Sequence, residues 1–100
     1  MEQTILIGVG WYSEDEWTML KLVADDKEAL DETFDKWRTG AEGAFQQLRS
    51  EPGINAVKVP VNIQSLQEWC RNQGIRLDGK ARAHFISEQA RLGHYDKDLT

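Results

Sequence analysis

Apolar residues recur along the chain with two different periods, and the change of period marks out the elements. Thr4 to Trp11 (TILIGVGW) is apolar and β-branched at Ile5, Leu6, Ile7 and Val9, with too few polar breaks for a half-exposed edge. It predicts a first strand in which Gly8 and Gly10 mark a weak point, a bulge or a close backbone contact. Ser13-Glu14-Asp15-Glu16 then fits a capping box, the Ser13 hydroxyl accepting from the Glu16 amide and the Glu16 carboxylate reaching back to the Ser13 amide. The run that follows satisfies either period. As a helix it aligns Trp17, Leu20 and Ala24; as a strand it aligns Thr18, Leu20, Leu22 and Ala24 and forms a hairpin with the first strand. The cap favours helix.

Leu30, Phe34, Trp37, Ala41, Ala44 (with Phe45) and Leu48 step by three and four, a seam on one face of a long helix. Glu32, Asp35, Lys36, Glu42 and Gln46 occupy the other face, and Glu51-Pro52-Gly53 ends it. Gly40 and Gly43 stand inside it, each costing about 1 kcal/mol against alanine, so a bend is expected there. Val57, Val59 and Val61 alternate with Lys58 and Pro60, a strand with one buried face whose Pro60 nitrogen should point to an open edge. A helix from about Gln64 to Gln73 buries Leu66, Trp69 and Cys70, with Gly74 as its left-handed terminator. Asp78 caps the last helix. Ala81, Phe85 and Leu92 form one apolar line on it, and Ala83, Ile86 and Ala90 form a second, roughly 160° away at about 100° per residue. The expected fold is α+β: a two- or three-stranded sheet against about four helices, in the order β-α-α-β-α-α, with β-β-α-β-α-α as the hairpin alternative. Residues 1–93 form one domain and residues 94–100 a polar, frayed tail.

The quoted residues carry a resemblance. A W/Y-rich start, Thr33, Phe34 and Trp37 in the long helix, Val59 and Val61, Glu68-Trp69-Cys70 with Gly74, and Asp78-Gly79, Ala81-Arg82-Ala83 and Phe85 are similar to a group of small uncharacterised bacterial proteins of unknown function. The resemblance implies helix for residues 14–24 and implies no activity, since these are core and turn positions.

Composition narrows the classes. In 100 residues, 40% hydrophobic and 29% charged, there is room for one ordinary globular core. No apolar run approaches the ~20 residues of a membrane helix, and the start lacks the basic region of a signal peptide. A single cysteine permits no internal disulfide, so the cytoplasm is the expected compartment. The net charge of −5 is unevenly spread: residues 1–61 hold 12 acids and 6 bases, residues 62–95 hold 3 acids and 5 bases. An acidic body repels nucleic acid, while Arg71, Lys80, Arg82 and Arg91 of the last two helices are the candidate anion contacts. A helix-turn-helix reading of those helices is weakened by the length of the GIRLDG connection.

Other chemistry is sparse. Cys70 falls in the middle of an apolar helix face, where an inert thiol is expected. His84 and His94, with Cys70 or Asp96, match no zinc spacing, and His84 lies on a polar face; no metal or cofactor is expected. The GVGW glycines lack the rest of a phosphate loop. Trp11 and Tyr12 close the first strand and are the candidate lining of a surface pocket. No catalytic set is present, and the chain is not expected to be an enzyme. The expected function is a protein-interaction or regulatory module that self-associates through Ala83, Ile86 and Ala90, because those residues form a line the monomer does not obviously need and the sheet is small. The alternatives are a nucleic-acid accessory domain and a small-molecule-binding protein.

Overall fold

β1 (Ile5–Trp11) and β2 (Ile54–Pro60) lie side by side and parallel in the computed structural model, which describes residues 4–95. Parallel neighbours need a crossover of a dozen or more residues. The crossover here holds α1 (Glu14–Val23), a 3-10 turn (Lys27–Ala29) and α2 (Phe34–Arg49); after β2 come α3 (Ile63–Gln73) and α4 (Gly79–Arg91). The fold is α+β in the order β-α-α-β-α-α, and the alternative hairpin through residues 14–24 is not formed. Helical phase decides the ambiguous run. Trp17, Leu20 and Ala24 are buried together, whereas Leu22, which a strand would have placed beside Leu20, is exposed.

Each face of the sheet carries a helix, α4 chiefly over β1 and α2 chiefly over β2, which agrees with the nearly continuous apolar sequence of β1, although Ile5 and Leu6 stay 61% and 39% exposed. Gly8 pairs with Val57 and Gly10 with Val59, and these four residues face α4. A Cβ added at Gly8 would lie 2.9 Å from Ala90 Cβ, and one at Gly10 would lie 2.5 Å from Ile86 Cδ1. Of the readings open for the two glycines, close contact is the one realised: they let α4 sink onto the strand. On the opposite face Lys58 Nζ sits over the Trp11 ring at 4.1 Å and over Phe45 of α2 at 5.0 Å. Leu20, Ile63, Leu66 and Val59 are fully enclosed in the core cluster.

Caps set most of the boundaries. Thr33 Oγ1 accepts from the Lys36 amide, Asn62 Oδ1 from Ser65 and Asp78 Oδ1 from Ala81, and Gly74 ends α3 at φ 67°. The Thr33 cap corrects the expected helix, which begins at Phe34 and leaves Leu30 in the preceding connection. The capping box of α1 is also half formed. Ser13 Oγ accepts from Glu16, but the Glu16 carboxylate accepts from the Ile63 amide at 2.7 Å, so it caps α3 and ties the two helices together. Asp25 and Leu77 exchange two further bonds of 2.9 and 2.7 Å between the α1–α2 and α3–α4 connections.

Two expectations at the C-terminal end change. Leu92 does not anchor α4 and is 58% exposed. The start of the expected tail is ordered: His94 N bonds Gln89 O, Gly93 has φ 82°, and Tyr95 packs against the core. Residues 96–100 of that tail lie outside the described residues. Among the described residues, no helix is long and apolar enough to cross a membrane.

Candidate functional site

The backbone of β1 has one partner and two sides. Ile5 N bonds Gly53 O at 2.8 Å and Val61 N bonds Trp11 O at 3.1 Å, so the odd-numbered residues of β1 turn their amides and carbonyls toward β2. By alternation, the amides and carbonyls of Leu6, Gly8 and Gly10 point to the other edge, where the sheet has no third strand among the described residues. The same alternation turns Pro60 toward the free edge of β2, as expected of a residue with no N–H. Proline is one of the devices that guard an exposed edge. β1 has no proline, no charge and, at two of its three outward positions, no side chain.

This unguarded edge is the floor of a groove of about 550 Å³. Trp37, Gly40 and Ala44 of α2 form one wall, and Arg82, Ala83 and Ile86 of α4 form the other. A Cβ placed on Gly40 meets nothing within 4 Å, so the described residues give no packing reason for glycine in mid-helix.

The groove ends in aromatic side chains. Trp37 stacks on Trp17 at 5.3 Å and meets Trp11 and Tyr12 edge-on at 5.6 and 5.1 Å. Burial pushes the Tyr12 hydroxyl up to about 12; Arg82 pulls it the other way and Asp26 adds to the rise. Arg82 and Asp26 form a two-pronged ion pair of 2.7 and 2.9 Å that clamps α4 to the α1–α2 connection. The shared hydrogen bonds hold the Asp26 carboxyl below its usual range and raise Arg82. A smaller hollow of about 200 Å³ beside this clamp is lined by Trp17, whose Nε1 is buried with no hydrogen-bond partner among the described residues.

The candidates from sequence are placed differently by the fold. Ile86 and Ala90 are 9% and 3% exposed and are packed on the glycine face of β1, so the line does not stand free as a helix seam, although Ile86 also borders the groove. Only Ala83 of that line is open, and it borders the groove. The last helix is wedged into its own domain because both its apolar lines have a use there. Trp11 and Tyr12 do border a concavity, with Ser13, Glu14, Phe34 and Arg38, although Tyr12 itself is buried.

The four candidate anion contacts do not form one patch. The guanidinium of Arg82 is held by Asp26, while Lys80 and Arg91 stand at opposite ends of α4, about 16 Å apart at 1.5 Å per residue. Lys80 instead borders a hollow with Arg76 and His84 where α3 meets α4. His84 is exposed and sits edge-on to Trp69, and His94 pairs with Gln89. Cys70 is buried and free, and burial first, then Asp78 and Asp25, push its thiol up. Sequence reasoning missed Leu6, Gly8 and Gly10 as an open edge and Gly40 as a groove wall. Gly40 and Gly43 are both mid-helix glycines with no neighbour within 4 Å, and of the two only Gly40 lines the groove, so helix glycine alone was an ambiguous sign.

Comparison with protein-family models, curated proteins and solved structures finds no match.

Proposed function

We propose that the protein is a small protein-interaction module that associates with itself, working in the cytoplasm. The observation that carries this reading is the free edge of β1, left unguarded at the floor of a groove between α2 and α4. A two-stranded sheet is marginal unless further strands or packed helices support it; here helices give that support, and what stays unpaired among the described residues is the β1 edge. A row of unpaired amides and carbonyls is satisfied by another strand, and native proteins that leave such a row unused commonly blunt it. The buried free thiol agrees with a reducing compartment.

Light scattering tests the reading on the intact chain, from roughly 10 μM to 1 mM, where moderate association registers. A mass rising from 11.5 kDa toward twice that value supports it. A mass of 11.5 kDa at every concentration overturns it.

A second reading, small-molecule binding, is favoured by the orphan Trp17 Nε1 beside Tyr12 and Arg82. Tryptophan fluorescence that is unmoved across a screen of small hydrogen-bond acceptors would dispose of it.

A further inference from the structure

We infer that two copies join edge to edge through β1, antiparallel about a two-fold axis at Gly8, making one four-stranded sheet in the order β2-β1-β1-β2. The inference rests on the self-association proposed above and supplies its geometry.

Register follows from which groups are free. In an antiparallel pair, directly opposed residues exchange both backbone bonds at alternate positions. Leu6, Gly8 and Gly10 are the outward residues of β1. Setting Leu6 against the partner's Gly10, and Gly8 against the partner's Gly8, satisfies all three on both copies, about six bonds in all. A shift of two residues leaves at least one of them without a strand partner. A shift of one sets outward groups against inward ones.

The second copy fits this edge better than an unrelated strand does, for three reasons. The first is width. Each copy carries one helix on each face of its two strands, α2 on one side and α4 on the other. Four strands at about 4.8 Å span roughly 19 Å, which two helices packed 8–10 Å apart cover. Doubling the sheet therefore doubles its cover. The second is Gly40. A mid-helix glycine disfavours the helix; Gly40, like Gly43, has no neighbour within 4 Å among the described residues, but Gly40 alone of the two stands in the groove wall, where it lets the partner's α2 come close. The third is charge. Two chains of net charge −5 repel, so contact is easiest where acids are fewest. Among the described residues the groove holds Asp31 at its aromatic end and one cation, Arg82, which is already neutralised by Asp26. A seam of seven residues, about 23 Å long and about 20 Å from helix layer to helix layer, gives roughly 500 Å² in projection per copy. That is the scale of a standard interface of about 800 Å² of accessible surface per partner.

Two variants and one cross-link test the geometry. Leu6→Pro removes an outward N–H and no bond to β2, copying the guard at Pro60. Gly40→Gln puts a side chain into the groove where the described residues leave open space. Each is expected to weaken association at least tenfold, with an unchanged circular dichroism spectrum. In the stated register Ile7 faces the partner's Val9 in a non-hydrogen-bonded pair, with Cα atoms about 4.5 Å apart and within disulfide reach. Diagonal pairs are about 7–8 Å apart. An equimolar mixture of Ile7→Cys and Val9→Cys chains, oxidised, should therefore yield mixed cross-linked dimers far beyond the twofold excess over either homodimer that random pairing gives. A parent protein that stays monomeric sinks both this inference and the self-association reading. A parent dimer indifferent to Leu6→Pro and Gly40→Gln, with no preference for the mixed cross-link, sinks the β1 geometry alone. A mixed cross-link no more than about twice as abundant as either homodimer, the ratio random pairing gives, rejects the register. If Leu6→Pro fails to fold, Gly40→Gln and the cross-link decide.

Discussion

Gly8→Ala should destabilise the protein by about 1–2 kcal/mol. The new Cβ would stand 2.9 Å from Ala90 Cβ, 3.0 Å from Val59 Cγ2 and 3.3 Å from the Ile86 carbonyl oxygen. Carbon pairs are comfortable at about 3.5–4.0 Å, so relief requires roughly half an ångström or more. Neither Ala90, which has only Cβ, nor the α4 backbone can give by rotation, so the helix itself must lift from the sheet. Overpacking of this kind costs about 1–3 kcal/mol, against which alanine recovers about 0.4–1 kcal/mol by restricting the unfolded chain.

Gly10→Ala makes the instructive contrast, because its shortest contact is nominally worse. The Cβ meets Ile86 Cδ1 at 2.5 Å and Cγ1 at 3.3 Å, but both belong to a side chain that borders the groove and can turn into it. A rotamer shift costs about 0.5–1.5 kcal/mol, similar to what alanine recovers, so the net change should be near zero. In an Ile86→Val background, which deletes Cδ1, Gly10→Ala should become stabilising. Urea unfolding followed by tryptophan fluorescence, at one low protein concentration so that association does not contribute, reads the difference. With a slope of about 1 kcal/mol per molar, the Gly8→Ala midpoint should fall by about 1–2 M. A midpoint at or above that of the parent, or a larger fall for Gly10→Ala than for Gly8→Ala, would refute the seating of α4 on the glycine face.

Further tests address the polar contacts. The Tyr12 hydroxyl keeps its proton to about 12 when folded and loses it near its ordinary value of 10.0 when unfolded. The folded state thus holds more protons across that window, and stability should decline from pH 10 to 12 in the parent but less in Tyr12→Phe. Asp26 is held below its ordinary value of 3.8, chiefly by its hydrogen bonds to Arg82, so its contribution is present above that pH and lost as pH falls through the folded value. The melting temperature of Asp26→Asn should accordingly drop less than that of the parent between pH 5 and 2. Glu16→Ala should lose about 0.5–2 kcal/mol, as for a lost cap, and Glu14→Ala in the same first turn far less; equal losses would mean that the bond to Ile63 contributes nothing. Cys70 should react slowly with a thiol reagent in native buffer and fast in denaturant, and equal rates would contradict its burial.

Local rules located most of the fold. Ser13, Asp78 and Gly74 act where their chemistry says they should, because a cap is decided within four residues of chain. The parallel pairing of β1 with β2 is a long-range choice. Nothing within either strand states it, and only the apolar character of both faces of β1 agrees with it afterwards. Glu16 failed as a reciprocal cap for the same reason: the Ile63 amide, 47 residues away, offers the carboxylate an equivalent donor that no local pattern reveals. Leu30 belonged to the seam by spacing alone, but the Thr33 cap starts the helix after it.

The site was harder to read because its two halves were read separately. By sequence the second apolar line of α4 reads as a seam for another molecule, and the glycines of β1 read as a weak point, a bulge or a close backbone contact. Each accounts for the other, since Ile86 and Ala90 fill the space that Gly8 and Gly10 leave. Once α4 is spent on its own strand, the surface left without an explanation is the opposite side of that strand's backbone. No side-chain pattern can report it, because the exposed groups are amides and carbonyls that every residue carries. What the sequence does report is an omission. Pro60 stands on the free edge of β2, no such guard stands on β1, and Gly40 gives up helix stability beside it for no contact among the described residues. An edge left open by accident would gain from any lysine or proline at Leu6; one kept open for a second strand would lose its function to the same change. Placing proline at Leu6 separates the two cases directly.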